Sequence, residues 1–439
     1  MNSKHSIPSW LSTSLIAILI FALVYVTNAT GLITTYVYSV IVLAGIAAIS
    51  ALGLNLIYGF NGQFSLGHIG FYAIGAYGSA LITKDFTAHW SGTQFTALSW
   101  IIAGIAGVIL ILLIVKRLHL DRLSKSLKSS LAILKPSEAW ILVAVAMIVV
   151  SALTVAVGAV SAWILQKGLF ALLKLVIPLL PKAIAENVIL FLGLLAGGGL
   201  AALIAYLVGL PLLRLSSDYF GIATLGFAIV VYTALQNSDL VIATMKGARG
   251  MVEIPRWTTW IWVFAVLVVL VVVMRNLLYS SHGRAVISVR EDEVAAKAMG
   301  IDIAQSKVIA FAIGGFYAGI AGGLYAHLQG FLHPSTFNFI RGFDPLIIIV
   351  FGGLGSMTGT LVASALFSLI IEGLRVVLPQ GFEDWRFVIY PILLLLVMLL
   401  RQRGLLGSVE WGWMRAPLAP IRDIPMASGV GSANGGEDA

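Results

Sequence analysis

Charged residues are missing from stretches of this chain that are long enough to cross a lipid bilayer. No Asp, Glu, Lys or Arg occurs from His5 to Thr83, and further uncharged stretches include Val308–Ile340 and Pro345–Ile371. A membrane-spanning α-helix needs about 20 consecutive apolar residues. Because these stretches are continuous rather than short and alternating, they favour helices over the strands of a β-barrel. The sequence therefore predicts an all-α, polytopic integral membrane protein.

Composition excludes several other classes of protein. Of the 439 residues, 59% are hydrophobic and 10% are charged, whereas a soluble domain carries about 25% charged residues. The absence of cysteine excludes a disulfide scaffold, a cysteine-ligated metal site and a thiol nucleophile. The net charge of +8 comes from cations that flank the apolar runs. We interpret them as topology signals, so no nucleic-acid partner is expected.

The order of apolar and basic segments predicts a membrane domain over residues 1–407 and a disordered cytoplasmic tail over 408–439. The protein is expected to have roughly 11 transmembrane or re-entrant helices, with both termini in the cytoplasm. The extended middle region, 84–187, contains a basic loop at 116–138, which the positive-inside rule places in the cytoplasm together with the loop 279–307. The expected spans are 11–26, 36–58, 69–82, 98–115, 140–160, 188–210, 220–235, 260–277, 309–328, 346–371 (divided by a glycine-rich turn at 352–359) and 387–400. Residues 165–182 are expected to form a separate interfacial helix on the outer side.

Catalytic motifs are absent from the sequence. It contains no phosphate-binding loop of the form Gly-x-x-x-x-Gly-Lys-[Ser/Thr], no His-Glu-x-x-His and no Gly-x-Ser-x-Gly. Its seven histidines are scattered without ligand spacing. We therefore predict no catalytic residue, no metal site and no cofactor.

The densest mixed-charge segment lies between two expected spans. Glu291 to Glu293 can supply the acidic first turn of a short helix, with Gly300 as its C-cap. Such a loop suits docking to a soluble partner, although an ordinary solvated loop would have the same composition. The candidate residues are Gly283, Arg284, Arg290, Glu291, Asp292, Glu293, Ala295, Ala296, Gly300 and Ile301.

A second candidate site is a cluster of polar residues within the first uncharged stretch. Polar side chains at membrane depth are tolerated where they line a cavity or are buried in protein. The cluster therefore forms either part of a translocation pathway or hydrogen bonds between helices. Its residues are Asn55, Asn61, Gln63, Ser65, His68 and Tyr72.

Two other features concern the later spans. Gly315, Gly319 and Gly323 recur every four residues, which predicts close helix packing. Glu372 and Arg375 are either a proton-carrying site or, as we favour, an ion pair at the outer end of a helix.

Four ordered motifs resemble one protein family. Gly283–Ile301, followed by Lys307-Val-Ile-Ala-Phe311, is similar to the signature loop of the LivM-type permeases of branched-chain amino acid ABC transporters. The segments Gly53–His68, Leu210–Phe227 and Phe351–Gly359 resemble three further motifs of this family. Two features depart from the family pattern. The region 84–187 is longer than usual, and Thr244–Met251 carries cations where the family has glycine and proline.

The resemblance implies a permease subunit of an ABC importer for leucine, isoleucine and valine. Its implied partners are a second, LivH-like permease, two cytoplasmic ATPase subunits that bind the ATP, and an extracytoplasmic substrate-binding protein. Gly283–Ile301 would be the loop that couples the chain to an ATPase, in a bacterial inner membrane. The alternatives are a permease of the same family for urea or short-chain amides, and an ion-coupled carrier that works alone.

Overall fold

The computed structural model describes residues 34–88, 96–118, 136–213 and 217–377. It also describes residue 215 and separate positions between 18 and 30 and between 392 and 414. Most of the expected spans 11–26 and 387–400 and most of the basic loop 116–138 lie outside the described residues. So does the tail beyond Met414.

The described chain is built from α-helices, as the sequence predicts. Its one extended pairing within the described ranges is an isolated bridge between Met251 and Leu332. A π-helix at Asn55–Phe60 continues the first helix. The α-helices are α1 Thr35–Leu54, α2 His68–Ala88, α3 Thr96–Leu118, α4 Pro136–Val176, α5 Lys182–Leu212, α6 Ser217–Gln236, α7 Trp260–Tyr279, α8 Ser281–Glu291, α9 Glu293–Ala298, α10 Ile303–Gln329, α11 Phe343–Gly352 and α12 Met357–Val377.

Eight helices of the described chain are long and apolar enough to cross a membrane. They are α1 with its π-helical extension, α3, α4, α5, α6, α7, α10 and α12. A polytopic membrane protein is therefore confirmed.

The prediction of a separate interfacial helix at 165–182 is wrong. Residues Pro136–Val176 form one helix of 41 residues, which is about 60 Å long at 1.5 Å per residue. The next proline is Pro178, in the 3₁₀ turn Ile177–Leu179. The lysines in this segment do not interrupt the helix, because lysine is a good helix former and only proline removes the backbone donor.

The glycine-rich turn predicted to divide 346–371 is confirmed. Helix α11 ends at Gly352 and α12 begins at Met357. Gly353 and Gly355 between them have φ angles of +117° and +81°, a region in which a side chain would be strained. The two helices therefore form a tight hairpin.

Helix α10 lies at the centre of the bundle, packed against α1, α2 and α5. Small residues permit this packing, as the four-residue glycine spacing predicts. A Cβ on Gly75 would overlap the backbone of Gly319, and one on Gly315 would reach the side chain of Ala205. The close approach of the helices substitutes for the hydrophobic driving force that is missing between helices in lipid.

Substituting Gly75 with alanine is expected to destabilise the protein by about 2 kcal/mol, because the added methyl group must displace the backbone of α10. The apparent Tm of the detergent-solubilised protein should fall by roughly 5 °C, measured by size exclusion after heating. Gly104→Ala is the matched control, since a Cβ added at Gly104 would have nothing within 4 Å. That variant should be neutral or slightly stabilised. Equal behaviour of the two variants would contradict close packing of α2 on α10.

Candidate functional site: a helical loop, a buried polar turn and two cavities

A pair of short helices forms the loop between α7 and α10. Helix α8 begins after Ser280, whose hydroxyl accepts a hydrogen bond from the Gly283 N–H. A Cβ on Gly283 would overlap the backbone of Leu277 and Leu278. Glycine is therefore required where the chain turns from α7 into α8.

The break between α8 and α9 occurs at Asp292, which has an extended backbone. Its carboxylate accepts hydrogen bonds from the N–H groups of Val294 and Ala295, at 2.8 and 3.0 Å. This is an N-cap for α9. The short helix predicted from the acidic residues is confirmed, except that Glu291 is the last residue of α8. Gly300 has a φ of +83° just beyond α9, as expected for a C-terminal cap.

Helix α9 presents apolar side chains to solvent. Val294 is 80% exposed and Met299 is 82% exposed. Ala296 faces inward, and the Ile301 N–H donates to its carbonyl oxygen at 3.1 Å. Exposed apolar side chains on a short, charged helix are typical of a surface that another protein covers.

The charged residues of this loop divide into inward and outward groups. The carboxylate of Glu293 forms an ion pair with Lys307 of α10 at 2.5 Å. Arg284 donates to the Tyr279 carbonyl oxygen at 2.7 Å, at the end of the preceding helix. Glu291 and Lys297 are exposed.

Arg290 links the loop to the glycine-rich segment near the start of the chain. Although the residue is largely exposed, its Nη1 donates to the carbonyl oxygen of Gly59, at the end of the π-helix. A Cβ on Gly62 would lie 3.2 Å from the Arg290 Cγ, and one on Gly355 would lie 2.8 Å from its Nη1. Arg290 thus contacts two glycine-rich turns that are distant in sequence.

Asn55 joins the same two turns beneath Arg290. Its Nδ2 donates to the carbonyl oxygen of Ser356 at 3.0 Å and to Thr360 Oγ1 at 2.9 Å. Its Oδ1 accepts from the Gly355 N–H at 3.0 Å. Asn55 is fully buried, and a Cβ on Gly59 would overlap its Oδ1. Of the two interpretations of Asn55, this arrangement favours hydrogen bonding between helices.

The other members of the polar cluster separate. Asn61 and Gln63 line a cavity of about 600 Å³ together with Glu293 and Lys307, which we call the loop-side cavity. Their buried amide atoms have no hydrogen-bond partner within the described part of the chain. A cavity of this size has room for the water that such groups require. Ser65 is buried, and its Oγ accepts weakly from the Gly67 N–H at 3.4 Å.

His68 and Tyr72 line a different cavity, of about 190 Å³, which we call the Arg341 cavity. His68 is buried, and its Nε2 lies 2.9 Å from the carbonyl oxygen of Ser50. Arg341 and Asp344 line the same cavity. The structure therefore places five of the six polar residues at three places, the turn beneath Arg290 and the two cavities, while Ser65 lines neither cavity.

Sequence reasoning missed Arg341 and Asp344. The available signal was their isolation, because they stand between the uncharged stretches Val308–Ile340 and Pro345–Ile371. Asp344 lies in α11, outside the eight candidate spans. Burial raises the pKa of its carboxyl group to about 6, and the positive charge of Arg341 opposes this shift.

Two acidic residues late in the chain have structural partners. Glu372 accepts a hydrogen bond from the Tyr36 hydroxyl at 2.7 Å, while the side chain of Arg375 is outside the described part. Glu410 accepts from the N–H groups of Met357 and Thr358, at 2.6 and 3.1 Å. A carboxylate at this N-terminus of α12 is favourable to the helix dipole. Packed structure thus reaches into the predicted tail, where Met414 is buried.

Metal chemistry has no visible support in the described ranges. They contain no group of three or more His, Asp or Glu residues placed to hold a metal ion. What the site offers is a polar surface loop, hydrogen-bonded links to two turns, and cavities lined by polar groups.

Comparison with known proteins matches most of this chain to one family. The model of the family described as branched-chain amino acid transport system, permease component, matches residues 36–167 and 140–398. The high-affinity branched-chain amino acid transport system permease protein LivM of Escherichia coli is 32% identical over 243 residues, which cover 48% of this chain and 55% of the relative. The chain thus spans about half the length of that relative.

More distant relatives cover other shares of the chain. A probable LivM permease of Methanocaldococcus jannaschii is 26% identical over 285 residues, 57% of this chain and 76% of the relative. The LivH permease of Escherichia coli is 27% identical over 189 residues, 43% of this chain and 58% of the relative. No solved structure matches the chain.

Proposed function

The chain belongs to the family of permease components of branched-chain amino acid transport systems, and we propose that it is the membrane-spanning subunit of an ABC importer for leucine, isoleucine and valine. In this proposal separate subunits hydrolyse the ATP. A binding protein outside the cell delivers the amino acid, and a second permease similar to the LivH relatives completes the pathway. The complex lies in a bacterial inner membrane, with α8 and α9 in the cytoplasm.

The observation that carries this proposal is the exposed surface of α9. Val294 and Met299 are almost fully exposed on a helix that is too short to be stable alone. The Asp292 N-cap and the Glu293–Lys307 ion pair fix the position of this helix. Exposed apolar side chains at both ends of a helix that is fixed in this way suit docking to another protein, which in this proposal is an ATPase subunit.

Contacts behind α9 provide a route from this surface to the transmembrane helices. Lys307 connects α9 to α10, at the centre of the bundle. Arg290 and Asn55 connect α8 to the π-helix and to the turn that begins α12. Closure of the ATPase subunits can bias the permease between two states only if these contacts differ between the states. Both connections are therefore candidates for elements that rearrange.

The double substitution Val294→Asp and Met299→Asp is expected to reduce the amount of ATPase subunit that copurifies with the permease at least ten-fold. The substitutions remove two apolar contacts from the proposed interface. They also introduce two carboxylates, which are costly to desolvate in an apolar interface. The measurement is quantitative copurification after coexpression with the candidate ATPase subunits. Leu240→Asp is the matched control, since Leu240 is 83% exposed in the loop between α6 and α7. Full ATPase recovery with the double variant would contradict the docking role.

Uptake assays separate the proposed substrate from the alternatives. Proteoliposomes containing the full complex and the binding protein should accumulate labelled leucine when supplied with ATP. Accumulation of urea instead would indicate a short-chain amide permease. Leucine uptake by the isolated chain, driven by a proton or sodium gradient, would indicate an ion-coupled carrier.

A further inference from the structure

Three charged residues line the Arg341 cavity: Arg341, Asp344 and Glu372, whose carboxylate accepts a hydrogen bond from the Tyr36 hydroxyl. The walls come from α1, α2, α10, α11 and α12 and from the segment between α10 and α11. Arg341 is exposed, and Asp344 is half-buried. A carboxylate that is partly buried is costly unless it has a partner or a function, so the contacts of Arg341 and Asp344 are informative.

Neither charge has a side-chain partner within the described part of the chain. The ion pairs Lys84–Glu253 and Glu293–Lys307 involve neither residue, and among the described residues no hydrogen bond reaches the Asp344 carboxylate. The two groups sense each other electrostatically but remain too far apart for an ion pair. A cation and an anion that line one cavity without forming an ion pair are suited to a ligand that carries both charges.

The backbone holds both groups in place. The Arg341 N–H donates to Asn338 Oδ1 at 3.1 Å, which begins the 3₁₀ turn Phe339–Gly342. A Cβ on Gly342 would lie 3.2 Å from the Ile69 side chain, so this turn is seated against α2. Pro345 follows Asp344 in the first turn of α11 and fixes the backbone there. Both charges are therefore presented from a short, packed segment.

The remaining walls are mainly apolar. Ile46 and Ile348 are buried, and Leu43 and Ala47 also line the cavity. Tyr72 and Tyr325 lie at one side with their ring centroids 5.9 Å apart. A volume of about 190 Å³ is below the 300 to 1,000 Å³ typical of drug-sized ligands. These dimensions suit a small molecule with an aliphatic side chain.

We propose that the Arg341 cavity binds a zwitterionic aliphatic α-amino acid, with its carboxylate on Arg341 and its ammonium group on Asp344. The arginine fork matches a carboxylate with two parallel hydrogen bonds. His68 Nδ1 can accept a hydrogen bond from the ammonium group. Its Nε2 donates to the carbonyl oxygen of Ser50, and the buried Nδ1 has no other partner in the described chain. The aliphatic side chain packs against Ile46 and Ile348. This inference rests on the proposed function and assigns its substrate contacts.

The test measures ligand binding to the purified complex by saturation-transfer difference NMR, which detects weak binding. Three probes share one side chain: leucine, leucinamide, which lacks the carboxylate, and 4-methylpentanoate, which lacks the ammonium group. Arg341→Gln should raise the Kd of leucine and 4-methylpentanoate at least ten-fold and change that of leucinamide less than two-fold. Asp344→Asn should raise the Kd of leucine and leucinamide at least ten-fold and spare 4-methylpentanoate.

Lys182→Gln and Glu186→Gln serve as matched controls, because they remove one cation and one anion from the first turns of α5, outside this cavity. Unchanged binding of all three probes by the two cavity variants would overturn the proposal. An equal loss of all three probes would also overturn it, since that pattern indicates a structural role. Leucine uptake by the wild-type complex tests the proposed function separately. If the wild type imports leucine and the variants do so equally well, the cavity assignment alone fails.

Discussion

Replacing Arg290 with alanine is expected to lower amino-acid uptake by the assembled importer about 30-fold, with ATP hydrolysis within two-fold of wild type. Arg290 donates a charge-assisted hydrogen bond to Gly59. Such a bond contributes about 2 kcal/mol, which corresponds to a factor of about 30. If it transmits movement from α8 to the π-helix, its removal separates ATP hydrolysis from transport. Both rates are measured on the same proteoliposomes.

Arg275→Ala is the matched control for this prediction. Arg275 lies in the last turns of α7, near the same loop, and its guanidinium is 5.3 Å from the Tyr279 ring centroid. Its removal should leave uptake within two-fold of wild type. Normal uptake by the Arg290 variant would show that the contact with Gly59 carries no coupling. Loss of ATPase binding by that variant would assign Arg290 to docking instead.

Replacing Asn55 with leucine is expected to destabilise the permease by about 4 kcal/mol. Leucine has a similar size but leaves the half-buried Gly355 N–H without its acceptor and the buried Thr360 hydroxyl without its Asn55 donor, and a leucine methyl group crowds Gly59. An unsatisfied buried group and overpacking each cost about 1 to 3 kcal/mol. The apparent Tm in detergent should fall by roughly 10 °C.

Asn237→Leu provides the comparison for Asn55. The Asn237 side chain is exposed, just beyond the end of α6, and donates to the carbonyl oxygen of Thr233 in α6 at 2.9 Å. This substitution should change the Tm by no more than about 2 °C, since exposed sites are usually within 0.5 kcal/mol of neutral. If both asparagine variants melt together with the wild type, the buried hydrogen bonds do not hold the two turns.

Local patterns predicted those parts of the fold that depend on neighbouring residues. The spacing of Gly315, Gly319 and Gly323 indicated one face of a single helix, and the structure packs that face closely. The acidic run and Gly300 indicated α9, although Glu291 belongs to α8, because capping depends on residues within one turn. The glycine-rich turn between α11 and α12 was recognised for the same reason.

Contacts between distant segments could not be predicted in this way. Asn55 bonds residues about 300 positions later in the chain, and nothing in its neighbourhood identifies them. Arg290 was predicted only as a residue of the docking loop, and nothing beside it in sequence indicates Gly59. Its bond to Gly59 depends on how α8 lies across the bundle. Arg341 and Asp344 were not predicted as site residues, because the long apolar stretches on both sides of them indicate membrane spans.

The hairpin of α3 and α4 differs from the rest of the bundle in how little of it is enclosed. In the apolar windows of these two helices, 22% and 6% of the residues are buried, against 72% for α10. The hairpin touches the body of the protein mainly through a patch around Leu98, Leu173 and Ile177. Such a unit can be gained, lengthened or lost during evolution without redesign of the transport core. It is also a natural place to attach a fluorophore or an antibody fragment that must not disturb the working parts.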